Sequence, residues 1–166
     1  MRVEAFTLFA ILAGVLSTGS AVAQQETGGT GKSAAEEVAK PVIDDIKLIA
    51  QRAALSALSG ENPFVLRESS WSGVIDPGKA RLIQVQLFKR NEYQFWLAVP
   101  DRKAGVNVNV YDGKGQIVET ENITYDASNV ASLVVSPRDT GVYYLRISLQ
   151  TSITTPQKWS VIYAYR

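Results

Sequence analysis

Pro137-Arg138-Asp139-Thr140-Gly141-Val142-Tyr143-Tyr144-Leu145-Arg146-Ile147-Ser148-Leu149 is the stretch on which the fold turns. Proline, aspartate and glycine supply a turn, and β-branched and aromatic residues then alternate with polar ones at the two-residue period of a half-buried strand. Tyr143, Leu145, Ile147 and Leu149 form an inward row. Val142, Tyr144, Arg146 and Ser148 fall on the opposite face. A strand of this kind needs a second layer to pack against, so it announces a β-sandwich. It announces no reaction.

Working outward, the same habit fills the chain from residue 61 onward. Strands are expected at 71–75, 82–88, 93–99, 106–111, 116–120, 123–125, 131–136 and 158–165, separated by turn residues such as Asp76-Pro77-Gly78-Lys79 and Asp112-Gly113-Lys114-Gly115. Ile83, Val85 and Leu87 oppose Gln84 and Gln86, and Tyr93, Phe95, Leu97 and Val99 oppose Gln94 and Trp96. About eight strands in roughly a hundred residues fit one antiparallel sandwich of jelly-roll type.

The residues before position 61 read differently. Residues 5–16 are an apolar run too short to cross a bilayer about 30 Å thick, and Ala21-Val22-Ala23 offers the small-x-small pattern of a cleavage site. Residues 1–23 therefore read as a secretory signal, which places the mature chain in the periplasm or outside the cell with no integral membrane segment. Residues 24–32 are a polar, glycine-rich linker. Thr30-Gly31-Lys32-Ser33 imitates the end of a phosphate-binding loop, but Glu26 stands where the first glycine belongs and no strand precedes it.

Residues 33–60 carry a helical stripe. Ser33 and Glu36 have capping-box spacing, and Val38, Val42, Ile46, Ile49 and Ala53 recur every three or four residues. Pro41 either kinks this helix or opens a second one, where Asp44 and Asp45 suit the positive end of the dipole; Gly60 ends it. The stripe is expected to pack on the sandwich, with docking on a partner as the alternative.

Composition removes several chemistries. The chain has no cysteine and no histidine, so disulfides, thiolate nucleophiles, histidine-based triads and zinc sites of the usual kinds are excluded. Its formal net charge of +1 offers no global attraction for nucleic acid. No cofactor is expected. The carboxylates Asp101, Asp112, Glu119, Glu121, Asp126 and Asp139 all fall in loops or at strand ends, where turn and solvated roles explain them without catalysis.

The order of these motifs resembles the bacterial pre-peptidase C-terminal domain over residues 71–165. It runs from the Asp-Pro-Gly-Lys turn, through a strand of alternating glutamines, Tyr93-Gln94-Phe95 and a valine-rich strand into Tyr111-Asp112-Gly113, to Thr140-Gly141-Val142-Tyr143-Tyr144-Leu145-Arg146-Ile147. The resemblance implies a jelly-roll-like module of exported proteins. Calcium-binding members often carry acidic residues where this chain has Asn107 and Asn109, and neutral amides weaken that case.

Trp96, Tyr111 and Tyr144 occupy phases opposite the core rows, with Asn107, Asn109 and Arg146 nearby if their strands share a sheet. Aromatics flanked by amides and a guanidinium stack on sugars or anchor a protein surface. These six residues are the candidate ligand-binding set, unless the N-terminal helix covers them and turns the face into a second core. The expected function is a non-catalytic binding or accessory module that meets a carbohydrate or protein surface. An envelope assembly component acting through the helix is the alternative, and a carboxylate-based hydrolase a weaker one.

Overall fold

The computed structural model of the protein describes residues 44–166. The signal sequence, the linker, the capping box at Ser33 and the apolar positions Val38 and Val42 lie outside the described residues. One helix, α1 (Asp45–Leu58), precedes eight strands: β1 (Val65–Ile75), β2 (Ala80–Leu87), β3 (Tyr93–Ala98), β4 (Gly105–Tyr111), β5 (Glu121–Ile123), β6 (Val130–Val135), β7 (Gly141–Gln150) and β8 (Gln157–Tyr165).

The strands form two antiparallel sheets, one in the order β1-β8-β3-β6-β5 and one in the order β2-β7-β4. The chain changes sheet at nearly every connection, which is jelly-roll wrapping, and it confirms the fold class that the alternation predicts. Inward rows from both sheets build one core, in which Leu87, Phe95, Val110, Leu133, Leu145 and Val161 have no exposed surface. The row Tyr143, Leu145, Ile147 and Leu149 is buried throughout, while Val142, Tyr144, Arg146 and Ser148 face out.

Two strands differ from expectation, each for a local reason, and the described helix has a defined start. The helix starts at Asp45, because the extended residue Asp44 caps it: one carboxylate oxygen accepts from the Ile46 and Lys47 amides at 3.1 and 3.3 Å. The strand expected at 116–120 is reduced to one bridge between Ile117 and Tyr111. Asp112 accepts from the Lys114 and Gln116 amides at 2.9 and 2.8 Å and closes a turn in which Gly115 takes φ +78°. The chain then crosses to the larger sheet, where β5 pairs with β6. Finally, β1 begins at Val65 and absorbs the polar run Arg67-Glu68-Ser69 as a bulge: its register with β8 shifts between Leu66 and Ser70.

The helix lies on the outer face of the larger sheet. Ala50 and Ala54 are fully buried against Trp96, Ala98, Ile162 and Ala164, and this second cluster is separate from the core between the sheets. Small residues on both sides let the helix approach closely enough to seal the face.

Candidate functional site

The six candidate residues do not share a surface. Trp96 sits on β3 in the larger sheet and is 0% exposed beneath α1. Its indole N–H donates to the Tyr125 hydroxyl at 2.9 Å, and that hydroxyl donates on to the Ala53 carbonyl at 3.4 Å. Trp96 is therefore a structural anchor for the helix and no part of an exposed binding face. The opposite phase of β3 is covered because the helical stripe needs an apolar surface, and this is the only phase of the larger sheet left to supply one.

The other five residues come together. Antiparallel register places Tyr144 opposite Tyr111, Arg146 opposite Asn109 and Ser148 opposite Asn107. On the other flank of β7, Gln84 lies opposite Tyr144 and Leu82 opposite Arg146. Directly opposed residues on neighbouring strands have Cβ atoms about 5 Å apart, so these side chains form two adjoining rows across all three strands. One row reads Gln84–Tyr144–Tyr111 and the next Leu82–Arg146–Asn109. Tyr111, Tyr144, Asn109 and Arg146 are half-buried, Asn107 is exposed, and Leu82 is 67% exposed. No described element packs over this face.

What the face offers chemically is mixed: two phenol rings, amide donors and acceptors, one fixed cation and an apolar rim at Leu82. That combination suits recognition. The loop carboxylates have local duties. The Asp101 carboxylate accepts from the Thr151 hydroxyl at 2.6 Å and from the Lys103 amide at 3.0 Å, and these bonds hold its pKa below the usual carboxylate range. Asp112 closes the turn described above, and Glu119 stands 3.9 Å from Arg138 in an exposed pair. Among the described residues, no three acidic side chains group as a metal site would require.

A second feature escaped the sequence reading. The bulge in β1 puts Arg67 over the Tyr165 ring, 5.4 Å from its centroid, at the open edge between the sheets. The signal was present as a polar run between Leu66 and Trp71, inside what is one strand. Read as a loop, it gave no reason to place Arg67 near aromatics.

Among the described residues, fold and face together define a jelly-roll sandwich with one outer surface sealed by the helix and one that no described element covers. Residues 92–162 match the family model described as a secretion system C-terminal sorting domain, a segment that runs from the turn before β3 into β8. This part of the chain is thus similar to a sorting domain of secreted proteins, a different module from the pre-peptidase C-terminal domain that the motif order resembles. Curated proteins offer no match.

The matched segment is embedded in the sandwich. β1 pairs with β8 along its length and β2 with β7, so two strands outside the match complete both sheets around it.

Proposed function

We propose that this protein is an exported, non-catalytic recognition module that engages a protein of the secretion or envelope apparatus through the open face of its three-stranded sheet. The observation that carries the reading is the register that gathers Tyr111, Tyr144, Asn107, Asn109 and Arg146 on one surface that no described element covers. The similarity of residues 92–162 to a sorting domain supports export and favours a protein as the partner. Tyrosine and arginine are the residue types that carry binding energy at protein surfaces, and Leu82 supplies an apolar contact beside them. The apolar run at residues 5–16 with its cleavage pattern agrees with the same route.

The experiment is export of the full chain in its native host, comparing wild type with a Tyr111→Ala/Tyr144→Ala double variant of matched thermal stability. A central tyrosine pair lost from a docking surface costs on the order of 2 kcal/mol or more, so the secreted fraction should fall by at least about tenfold. Unchanged export at equal stability rejects the face as the docking surface. A carbohydrate partner is the second reading, favoured by the phenol rings beside Asn107 and Asn109. In that case export is unchanged and a glycan array loses its signal in the same variant.

A further inference from the structure

At the open edge of the sandwich, between β1 and β2, the inward-facing rings of Tyr163 and Tyr165 are only half-buried, whereas the equivalent Val161 is fully enclosed. A notch of about 210 Å³ lies there, lined by Arg67, Gln86, Phe88, Asn91, Tyr93 and the two tyrosines. We propose that this notch is a binding site for the acidic sugar ring of a glycan, with the carboxylate held by Arg67 and Tyr93 and the ring set against Phe88 and Tyr163.

Two donors face an acid there. The Arg67 guanidinium carbon lies 5.4 Å from the Tyr165 ring centroid, and with five N–H donors the group can meet a carboxylate as well as its tyrosine neighbours. The Tyr163 hydroxyl, then that of Tyr165, raises the arginine's pKa further above its ordinary value, so the cation is permanent. Tyr93 is 3% exposed, and its oxygen accepts from the Phe88 amide at 3.0 Å and from the Asn91 side chain at 3.1 Å. Both contacts use lone pairs, so the phenol's own proton remains to donate.

The walls suit a sugar ring. Tyr163 is stiffened from behind by Phe95, stacked at 5.4 Å and 13°, and by Trp71 at 5.2 Å. Phe88 is 52% exposed at the rim. Gln86 and Asn91 add amide groups of the kind that pair with hydroxyls, and the volume suits a single ring better than a folded protein segment. The site is built from β1, β2, β3 and β8 and uses none of the open-face residues Tyr111, Tyr144 or Arg146.

The test is calorimetric titration of the full chain with trigalacturonate, neutral maltotriose and acetate. Trigalacturonate should bind, with maltotriose and acetate each at least tenfold weaker. Arg67 is exposed, so Arg67→Gln keeps the fold and should weaken trigalacturonate by roughly ten- to a hundredfold, the usual range for a charge-assisted pair. Arg67→Lys, which keeps the charge but loses the fork, should fall between. Tyr144→Ala should leave affinity unchanged, which separates this site from the open face. Absence of trigalacturonate binding overturns the proposal, as does equal affinity for maltotriose or for acetate, or an Arg67→Gln variant that binds like wild type.

Discussion

The two outer faces of this sandwich began from similar sequence material and ended in opposite states. The strands that contribute to them alternate, and each sheet has an aromatic residue and an amide available in its outward phases. On the larger sheet, the outward phases of β3, β6 and β8 read Gln94-Trp96-Ala98, Val130-Ser132-Val134 and Lys158-Ser160-Ile162-Ala164, with the one charge, Lys158, exposed at the strand end and none in the stretch beneath the helix. On the smaller sheet, β2, β4 and β7 turn out Leu82, Gln84 and Gln86, then Asn107, Asn109 and Tyr111, then Tyr144 and Arg146. A face whose centre carries no charge can accept a helix; one that carries Arg146 and the asparagines at its centre would have to desolvate them to do so. The lesson is that the second phase of a strand decides which layer an added helix joins. Aromatic content alone does not: Trp96 and Tyr144 are both aromatic and outward, and only one of them meets solvent.

The sharpest way to break this comparison is to truncate one aromatic on each face. Trp96→Ala removes a fully buried indole and unpairs the Tyr125 hydroxyl from its donor, and should cost about 3–5 kcal/mol in urea unfolding. Tyr144→Ala on the open face should stay within about 1 kcal/mol. Equal losses would mean that the smaller sheet has a cover of its own.

A smaller effect sharpens the picture of the helix as a cover. Asp44→Ala leaves two amides of the first turn uncapped and should cost about 1 kcal/mol. Because the helix seals Trp96, the same variant should raise tryptophan quenching by acrylamide. A stability loss with unchanged quenching would show that the cap and the cover are independent.

The strand alternation made the sandwich legible from residues 137–149 outward, and with it both core rows. The split of the candidate site was legible too, in the uncharged centres of β3, β6 and β8, but only once strand pairing is known. Period-two alternation says which residues share a face of one strand and nothing about which strands share a sheet. Trp96 and Tyr144 were therefore indistinguishable by phase. Arg67 was hidden for another reason: a bulge breaks the period that identifies a strand, so the residues it redirects look like loop. The start of α1 at Asp45 was legible in part, because Pro41 interrupts the stripe and Asp44 and Asp45 suit the positive end of a helix, while the capping box at Ser33 lies outside the described residues.

The last and smallest effect concerns the joint between the two sheets. Asp101 lies in the connection from β3 to β4 and Thr151 in the connection from β7 to β8, so their bond at 2.6 Å ties together two crossings between the sealed sheet and the open one. The carboxylate is stabilised as an anion by the Thr151 hydroxyl first and the Lys103 amide second, and its folded pKa lies below its value in the unfolded chain. A depressed carboxylate contributes stability that is fully present above the unfolded pKa, near 3.9, and is lost as pH falls through the folded one. Because the group meets solvent, the effect is a modest steepening of the acid limb. Thr151→Val removes the largest cause of the shift, so wild type and variant should differ in melting temperature at pH 6 and converge as pH falls through the folded pKa. If the difference persists undiminished to pH 2, Thr151 acts through packing, and the tie between the sealed and open sheets does not depend on charge.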